Sequence, residues 1–156
     1  MSQYNVAIVG ATGLVGETLL SLLEDREFPI SSLIPIASER SQNKHVQFKG
    51  ENIKIQVLND FNFTGVDFAF FSAGALVSEQ FAPIAAKVGA IVIDNTSQFR
   101  YEDDIPLVVP EVNPDALMKY STTNIIANPN CSTIQMLVAL NPIHQEATIK
   151  KINVAT

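Results

Sequence analysis

Residues that build cross-links and metal cages are nearly missing from this sequence: 156 positions include one cysteine and two histidines. A single cysteine excludes an internal disulfide framework and a multi-cysteine metal centre, and no metal is expected. Positive charge is also scarce, with 10 Lys and Arg against 16 Asp and Glu, a formal net charge of −6. Without a dense basic stripe the chain cannot neutralise a phosphate backbone, so nucleic acid is excluded as a partner. Anionic small molecules, which need only a few placed donors, are not excluded. No apolar run approaches a membrane span, and no basic segment followed by an apolar stretch marks a secretory signal. A soluble cytoplasmic protein is expected. Internal repeats and low-complexity segments are absent.

What is present fits a packed interior. Hydrophobic residues make up 47% and charged residues 17%, and the length alone suggests one domain. Val6-Ala7-Ile8-Val9 reads as a strand covered on both faces. Val15, Leu19, Leu22 and Leu23 have the spacing of a helix face. Leu33 to Ala37 offers a second strand, with Pro35 better placed on an edge. Val46 to Phe48 and Ile53 to Val57 flank a turn and predict a hairpin. Val66 to Phe71 is a further strand, Phe81, Ile84, Ala85 and Val88 mark a helix, and Ala90 to Asp94 another strand. Arg100 to Pro114 is predicted to be an ordered loop packed over the sheet. Asn124 to Ala127 is a last short strand, a helix follows that ends before Asn141-Pro142, and residues 150–156 read as a β-like run. Strands alternating with helical patterns predict an α/β fold, a Rossmann-like, doubly wound, mostly parallel sheet.

Three places on this framework carry chemistry. Gly10-Ala11-Thr12-Gly13-Leu14-Val15-Gly16 joins the first strand to the first helix. The first glycine allows a tight turn, the second lets a phosphate approach the backbone, and the third lets helix and strand pack closely. A pyrophosphate would rest on N–H groups at the helix start; the alternative is a tight turn without a ligand. The second strand ends in Ser38, Glu39, Arg40 and Ser41. Ser38, Arg40 and Ser41 would suit a ribose 2′-phosphate, hence NADP rather than NAD, whereas Glu39 could take a ribose diol. Ser72-Ala73-Gly74-Ala75 and Asn95-Thr96-Ser97 close later strands at the sheet's carboxyl edge, as ligand contacts or merely as turns.

The third place is Cys131, in Asn128-Pro129-Asn130-Cys131-Ser132-Thr133 ahead of the apolar run Ile134 to Leu140. A Pro turn, small polar residues and an apolar-periodic segment predict a helix start, where the backbone favours a thiolate. A nucleophile and a buried small hydrophobe are both open at such a position. His45 and His144 are expected at the surface.

Read in order, the glycine loop, Asp94-Asn95-Thr96-Ser97-Gln98-Phe99-Arg100, Pro106-Leu107-Val108-Val109-Pro110-Glu111-Val112-Asn113 and Asn128-Pro129-Asn130-Cys131-Ser132-Thr133 resemble bacterial aspartate-β-semialdehyde dehydrogenases over essentially the whole chain. The resemblance implies NADPH-dependent reduction of β-aspartyl phosphate to aspartate β-semialdehyde and phosphate, toward lysine, methionine and threonine. It implies Cys131 as the nucleophile forming a thioacyl enzyme, Asn130 as a substrate-positioning residue, and Arg100 as the phosphate ligand. Gly10, Thr12, Gly13, Val15, Ser38, Arg40, Ser41, Ser72 and Gly74 would line the NADP site. Arg100 has an alternative, an ion pair with Glu102, Asp103 or Asp104.

Two differences from the family stand out: Ser41-Gln42-Asn43-Lys44 replaces its usual Ser-Ala-Gly-Lys, and Gln98 occupies a position often small or aromatic. Family members are also longer, with a general-base His, a carboxylate-binding Arg and the dimer-forming half beyond the equivalent of Thr156. The resemblance therefore implies a dinucleotide-binding domain over residues 1–127 and, over 128–156, the start of a truncated α+β catalytic and dimerisation domain. Such a piece is expected to be inactive alone, its parent a homo-oligomer. Two alternatives remain: an N-acetyl-γ-glutamyl-phosphate reductase, which usually carries Gly where this chain has Asn130, and a non-catalytic NADP-binding module.

Overall fold

An apolar strand with no polar alternation needs cover on both faces, and the first strand has it. The computed structural model describes residues 3–155. Its elements in chain order are β1 (Tyr4–Val9), α1 (Leu14–Asp25), β2 (Ile30–Ala37), β3 (His45–Phe48), β4 (Glu51–Lys54), β5 (Gln56–Val57), β6 (Phe68–Phe71), α2 (Ala75–Lys87), β7 (Ile91–Asp94), β8 (Ile125–Ala127) and α3 (Cys131–Ala147). Six strands form one parallel sheet in the order β5-β2-β1-β6-β7-β8. Counted within that sheet the order is 3-2-1-4-5-6, the doubly wound arrangement of dinucleotide-binding folds. Val6 and Ile8 of β1 pack toward Leu20 and Leu23 of α1 and Val46 and Phe48 of the hairpin. Ala7 and Val9 face the other way, toward Ala82, Ala85 and Ala86 of α2 and the aromatic pair Phe63 and Phe71.

Both helices are rotated from the faces their large apolar residues predict. In α1 the buried positions are Gly16, Leu20 and Leu23, while Val15 and Leu22 are 47% and 44% exposed. The cause is Gly16: a Cβ there would strike the Gly10 carbonyl and lie 2.8 Å from the Ala11 Cα, so the helix sits with its glycine against the end of β1. In α2 the buried residues are Ser78, Ala82, Ala85 and Ala86, whereas Ile84 and Val88 are half exposed. Small side chains let this helix lie close on the sheet. It stops at Val88, and Gly89 follows at φ +102°, the left-handed step that ends many helices.

The hairpin is present, turned by Lys49 and Gly50, both at positive φ. Its expected second arm divides, however. β4 pairs with β3, buried Ile55 breaks the run, and β5 crosses to pair with β2. Pro35 is not on the edge strand, yet its position is locally an edge. The Ile36 carbonyl accepts from Gly10 and Ala11, so alternation turns Pro35 to the other side, where β5 reaches only Ile36 and Ala37.

Beyond β7 the chain is irregular but ordered, with Val108 and Val109 buried and Leu107 bridging to Ala127. A 3₁₀ stretch, Pro114–Thr122, precedes β8; no apolar periodicity announces it. α3 does not end before Asn141-Pro142 but runs through both to Ala147. Its Pro142 lies on an exposed stretch, so the Val138 carbonyl that it cannot serve can turn to solvent. The expected β-like run fails among the described residues: 150–155 form no strand, and Thr156 lies outside the described residues.

Substituting Gly16→Ala is expected to cost about 1–3 kcal/mol, the usual penalty for forcing atoms into a filled contact. Thermal unfolding would read it as a lowered midpoint, and an unchanged midpoint would contradict the close approach of α1 to β1.

Candidate functional site

In a parallel sheet every strand delivers its next loop to the same edge. The loops after β1, β2, β6, β7 and β8 therefore gather at the carboxyl edge, and β1 lies where the chain reverses its direction of winding, the crevice in which open α/β sheets bind ligands. A cavity of about 640 Å³ opens there, lined by Gly10, Thr12 and Gly13 after β1, by Ser38, Glu39 and Arg40 after β2, and by Ser72 and Ala73 after β6.

The glycine loop is shaped by contacts that exclude side chains. Gly10 has φ +94°, and a Cβ there would lie 2.8 Å from Ser72 Oγ. Ser72 Oγ itself donates to the Val9 carbonyl at 3.1 Å, tying β6 to β1. Gly13 N–H donates to the Gly10 carbonyl at 3.0 Å, and Gly13 is the N-cap of α1 with no side chain capping the helix. Around Gly13 there is room, since an added Cβ would meet only the Gly10 carbonyl, at 3.5 Å. An uncapped helix start with an open glycine over a cavity fits a dinucleotide pyrophosphate.

The other residues expected at the cofactor site divide. Ser38 and Arg40 line the cavity, whereas Val15, Ser41 and Gly74 do not. Val15 is half exposed on the first turn of α1, and Ser41 is buried within the short 3₁₀ turn Glu39–Ser41. Gly74 serves as the N-cap of α2, accepting from Ser78 N–H at 3.1 Å. Glu39 also faces the cavity, its carboxylate accepting from Asn59 Nδ2 at 3.5 Å. Sequence reasoning missed the far wall, which Val77, Gln80 and Phe81 of α2 supply. The spacing 77, 80, 81 is a helical face, but a mixed one that resembles an ordinary solvent boundary.

A second cluster stands at the ends of β7 and β8. Asp94 is fully buried and accepts from Ser78 Oγ at 2.7 Å, from Thr96 Oγ1 at 2.8 Å and from Thr96 N–H at 3.2 Å. Asn128 Nδ2 donates to Asn95 Oδ1 at 2.6 Å. Arg100 is half-buried and forms none of the ion pairs open to it in sequence. Instead its Nε donates to the Asn128 carbonyl at 3.0 Å and its Nη2 to the Asn95 carbonyl at 3.2 Å. Asn130 caps α3, its Oδ1 accepting from Ser132 N–H at 2.9 Å, so that donor is not free for an oxyanion.

Cys131 is the first residue of α3 and is exposed, which removes the reading of a buried small hydrophobe. Both histidines are exposed. His45 lies on β3, and His144 Nδ1 accepts from Ile149 N–H at 3.1 Å near the far end of α3. His144 lies thirteen positions along α3 from Cys131, about 20 Å. At that separation His144 does not reach the Cys131 thiol, and His45 stands in the separate β3–β4 sheet.

Among the described residues no helix is long and apolar enough to cross a membrane. The chain is 57% identical over 154 residues to aspartate-semialdehyde dehydrogenase 2 of Vibrio cholerae, covering 99% of this chain and 46% of that protein. The crystal structure of aspartate semialdehyde dehydrogenase II from Vibrio cholerae complexed with ASA superposes with a TM-score of 0.92 at 56% identity, over 96% of this chain and 49% of that one. An aspartate semialdehyde dehydrogenase with NADP from Candida albicans superposes at 0.77 and 25% identity, over 95% of this chain and 48% of that one. The chain thus spans about half the length of these relatives. Residues 5–120 match the family model described as semialdehyde dehydrogenase, NAD binding domain. With its doubly wound sheet and glycine loop, the chain belongs to that family.

Proposed function

We propose that residues 1–127 are the NADP-binding domain, and residues 128–156 the nucleophile loop and helix, of an aspartate-β-semialdehyde dehydrogenase acting on β-aspartyl phosphate. The observation that carries this reading is a convergence on one sheet edge: an uncapped glycine loop over a cavity, and an exposed thiol at a helix start whose approach loop is held by an arginine.

In this reading Cys131 Sγ attacks the acyl carbon of the acyl phosphate. The carbon–oxygen bond to phosphate breaks, phosphate departs with the electron pair, and a thioacyl group remains on Cys131. Arg100 binds the departing phosphate through N–H groups not already given to Asn95 and Asn128. A bound dinucleotide supplies hydride to the thioacyl carbon. Collapse of the resulting hemithioacetal anion releases aspartate β-semialdehyde and returns the thiolate. Asn130 caps the nucleophile's helix and keeps its own amide N–H donors for substrate. A glycine at this position, as in the acetylglutamyl-phosphate enzymes, would leave α3 without that side-chain cap. The base comes from polypeptide outside these residues, so the chain alone binds cofactor without turnover.

Preference for NADP rests on Ser38 and Arg40 lining the cavity at the end of β2, with the Glu39 carboxylate held toward Asn59. Calorimetric titration should find NADP bound more tightly than NAD. Arg40→Ala is expected to weaken NADP about tenfold or more and leave NAD unchanged, the loss expected for one charge-assisted contact; equal binding of the two by the parent chain would contradict the assignment. Gly13→Ala should weaken both dinucleotides about tenfold while costing the fold no more than about 1 kcal/mol, because its Cβ would meet only the Gly10 carbonyl, at 3.5 Å, beside the proposed seat of the pyrophosphate. Iodoacetamide should alkylate Cys131 faster at neutral pH than it does a free thiol, and Cys131→Ser should abolish labelling. Ordinary thiol reactivity would count against a poised nucleophile.

A further inference from the structure

Burying a carboxylate is costly unless its oxygens are fully served, yet β7 ends in one. The two strands beside β7 end in Phe71 and Ala127, and β1 and β2 end in Val9 and Ala37, so the sheet does not require an acid at this position. Asp94 takes three hydrogen bonds, one from α2 through Ser78 and two from Thr96. Thr96 Oγ1 accepts in turn from Gln98 N–H at 3.2 Å. These contacts fix the turn from residue 94 to 98. Its product is the orientation of Asn95, whose carbonyl and amide oxygens hold Arg100 and Asn128 respectively.

Arg100 is held in a particular way. Its Nε–H and one Nη2–H form the side-on edge of the planar guanidinium, and that edge is filled by the carbonyls of Asn128 and Asn95. The end-on edge, Nη1–H with the second Nη2–H, is left for a two-point grip on an anion. Which edge is free depends on where the Asn95 carbonyl stands, and the Asp94 network sets that.

We propose that Ser78, Asp94 and Thr96 are positioning residues that fix the guanidinium of Arg100 and so shape its anion site beside Cys131. The proposal rests on the reading of Arg100 as the phosphate ligand. It also gives α2 two tasks, since Val77, Gln80 and Phe81 line the dinucleotide cavity while Ser78, on another side of the helix, anchors the arginine's turn.

The test uses the whole chain and inorganic phosphate. Phosphate should slow alkylation of Cys131 in the parent chain. Thr96→Val removes the hydroxyl with little change of volume, Thr96→Ser restores it, and Ser78→Ala removes one contact to Asp94. Thr96→Val and Ser78→Ala should raise the phosphate concentration for half-protection about tenfold, the worth of one charge-assisted hydrogen bond, with NADP affinity within twofold. Thr96→Ser should behave as the parent. In ¹⁵N spectra the Arg100 Nε–H signal, protected in the parent and Thr96→Ser, should broaden or vanish in Thr96→Val. Phosphate protection and an Arg100 signal unchanged in both Thr96→Val and Ser78→Ala would overturn the positioning role while leaving the anion role of Arg100 standing. Failure of phosphate to protect the parent chain would instead refute the anion role, and the proposal with it.

Discussion

The arrangement depends on one steric constraint, the approach of α1 to the end of β1. With Gly16 against the Gly10 carbonyl and Gly10 against Ser72, three segments meet where side chains cannot fit. That contact decides which face of α1 is buried, leaves the helix start uncapped, and brings the ends of β1 and β6 together. The cavity is a consequence of this meeting rather than a separate feature. The helix that begins here starts at the cavity wall, with Gly13 as its N-cap and no side chain to take its first N–H groups.

The far end of the same edge is organised by polar contacts instead of excluded volume. Arg100 spans the loops after β7 and β8, Asn95 and Asn128 pair across them, and Asn130 starts the helix that carries Cys131. The loop that leads to Cys131 is thus held from behind by backbone carbonyls and amide side chains. α2 joins the two ends: one side of it walls the dinucleotide cavity and another reaches Asp94. A cofactor seated against that wall would bear on the helix that also steadies the arginine.

Much of this was legible because parallel strands buried on both faces leave continuous apolar runs, and glycine loops have few alternative uses. The β1 run, the loop and the helix start at Cys131 could all be read from residue type and order. Helix rotation was not legible, because apolar periodicity weights large side chains, whereas α1 and α2 turn Gly16, Ser78, Ala82 and Ala86 to the sheet. Nor was the divided hairpin arm, since β4 and β5 are one run in sequence and separate only through partners distant in the chain. Pro142 signalled a helix end, but an exposed helix can pass over it. The Asp94 network was invisible for a further reason: an acid at a strand end reads equally well as a solvated turn.

The proposed function depends on a dinucleotide binding across the glycine loop at the meeting of β1, β2 and β6. Amide ¹H–¹⁵N spectra of the chain recorded during NADP titration test it most directly. The largest shifts should fall on Gly10 to Leu14, Ser38 to Arg40, and Ser72 and Ala73, with the β3–β4 turn at Lys49 and Gly50 unmoved. Shifts centred on the hairpin or on the far end of α3, with the glycine loop unchanged, would contradict it.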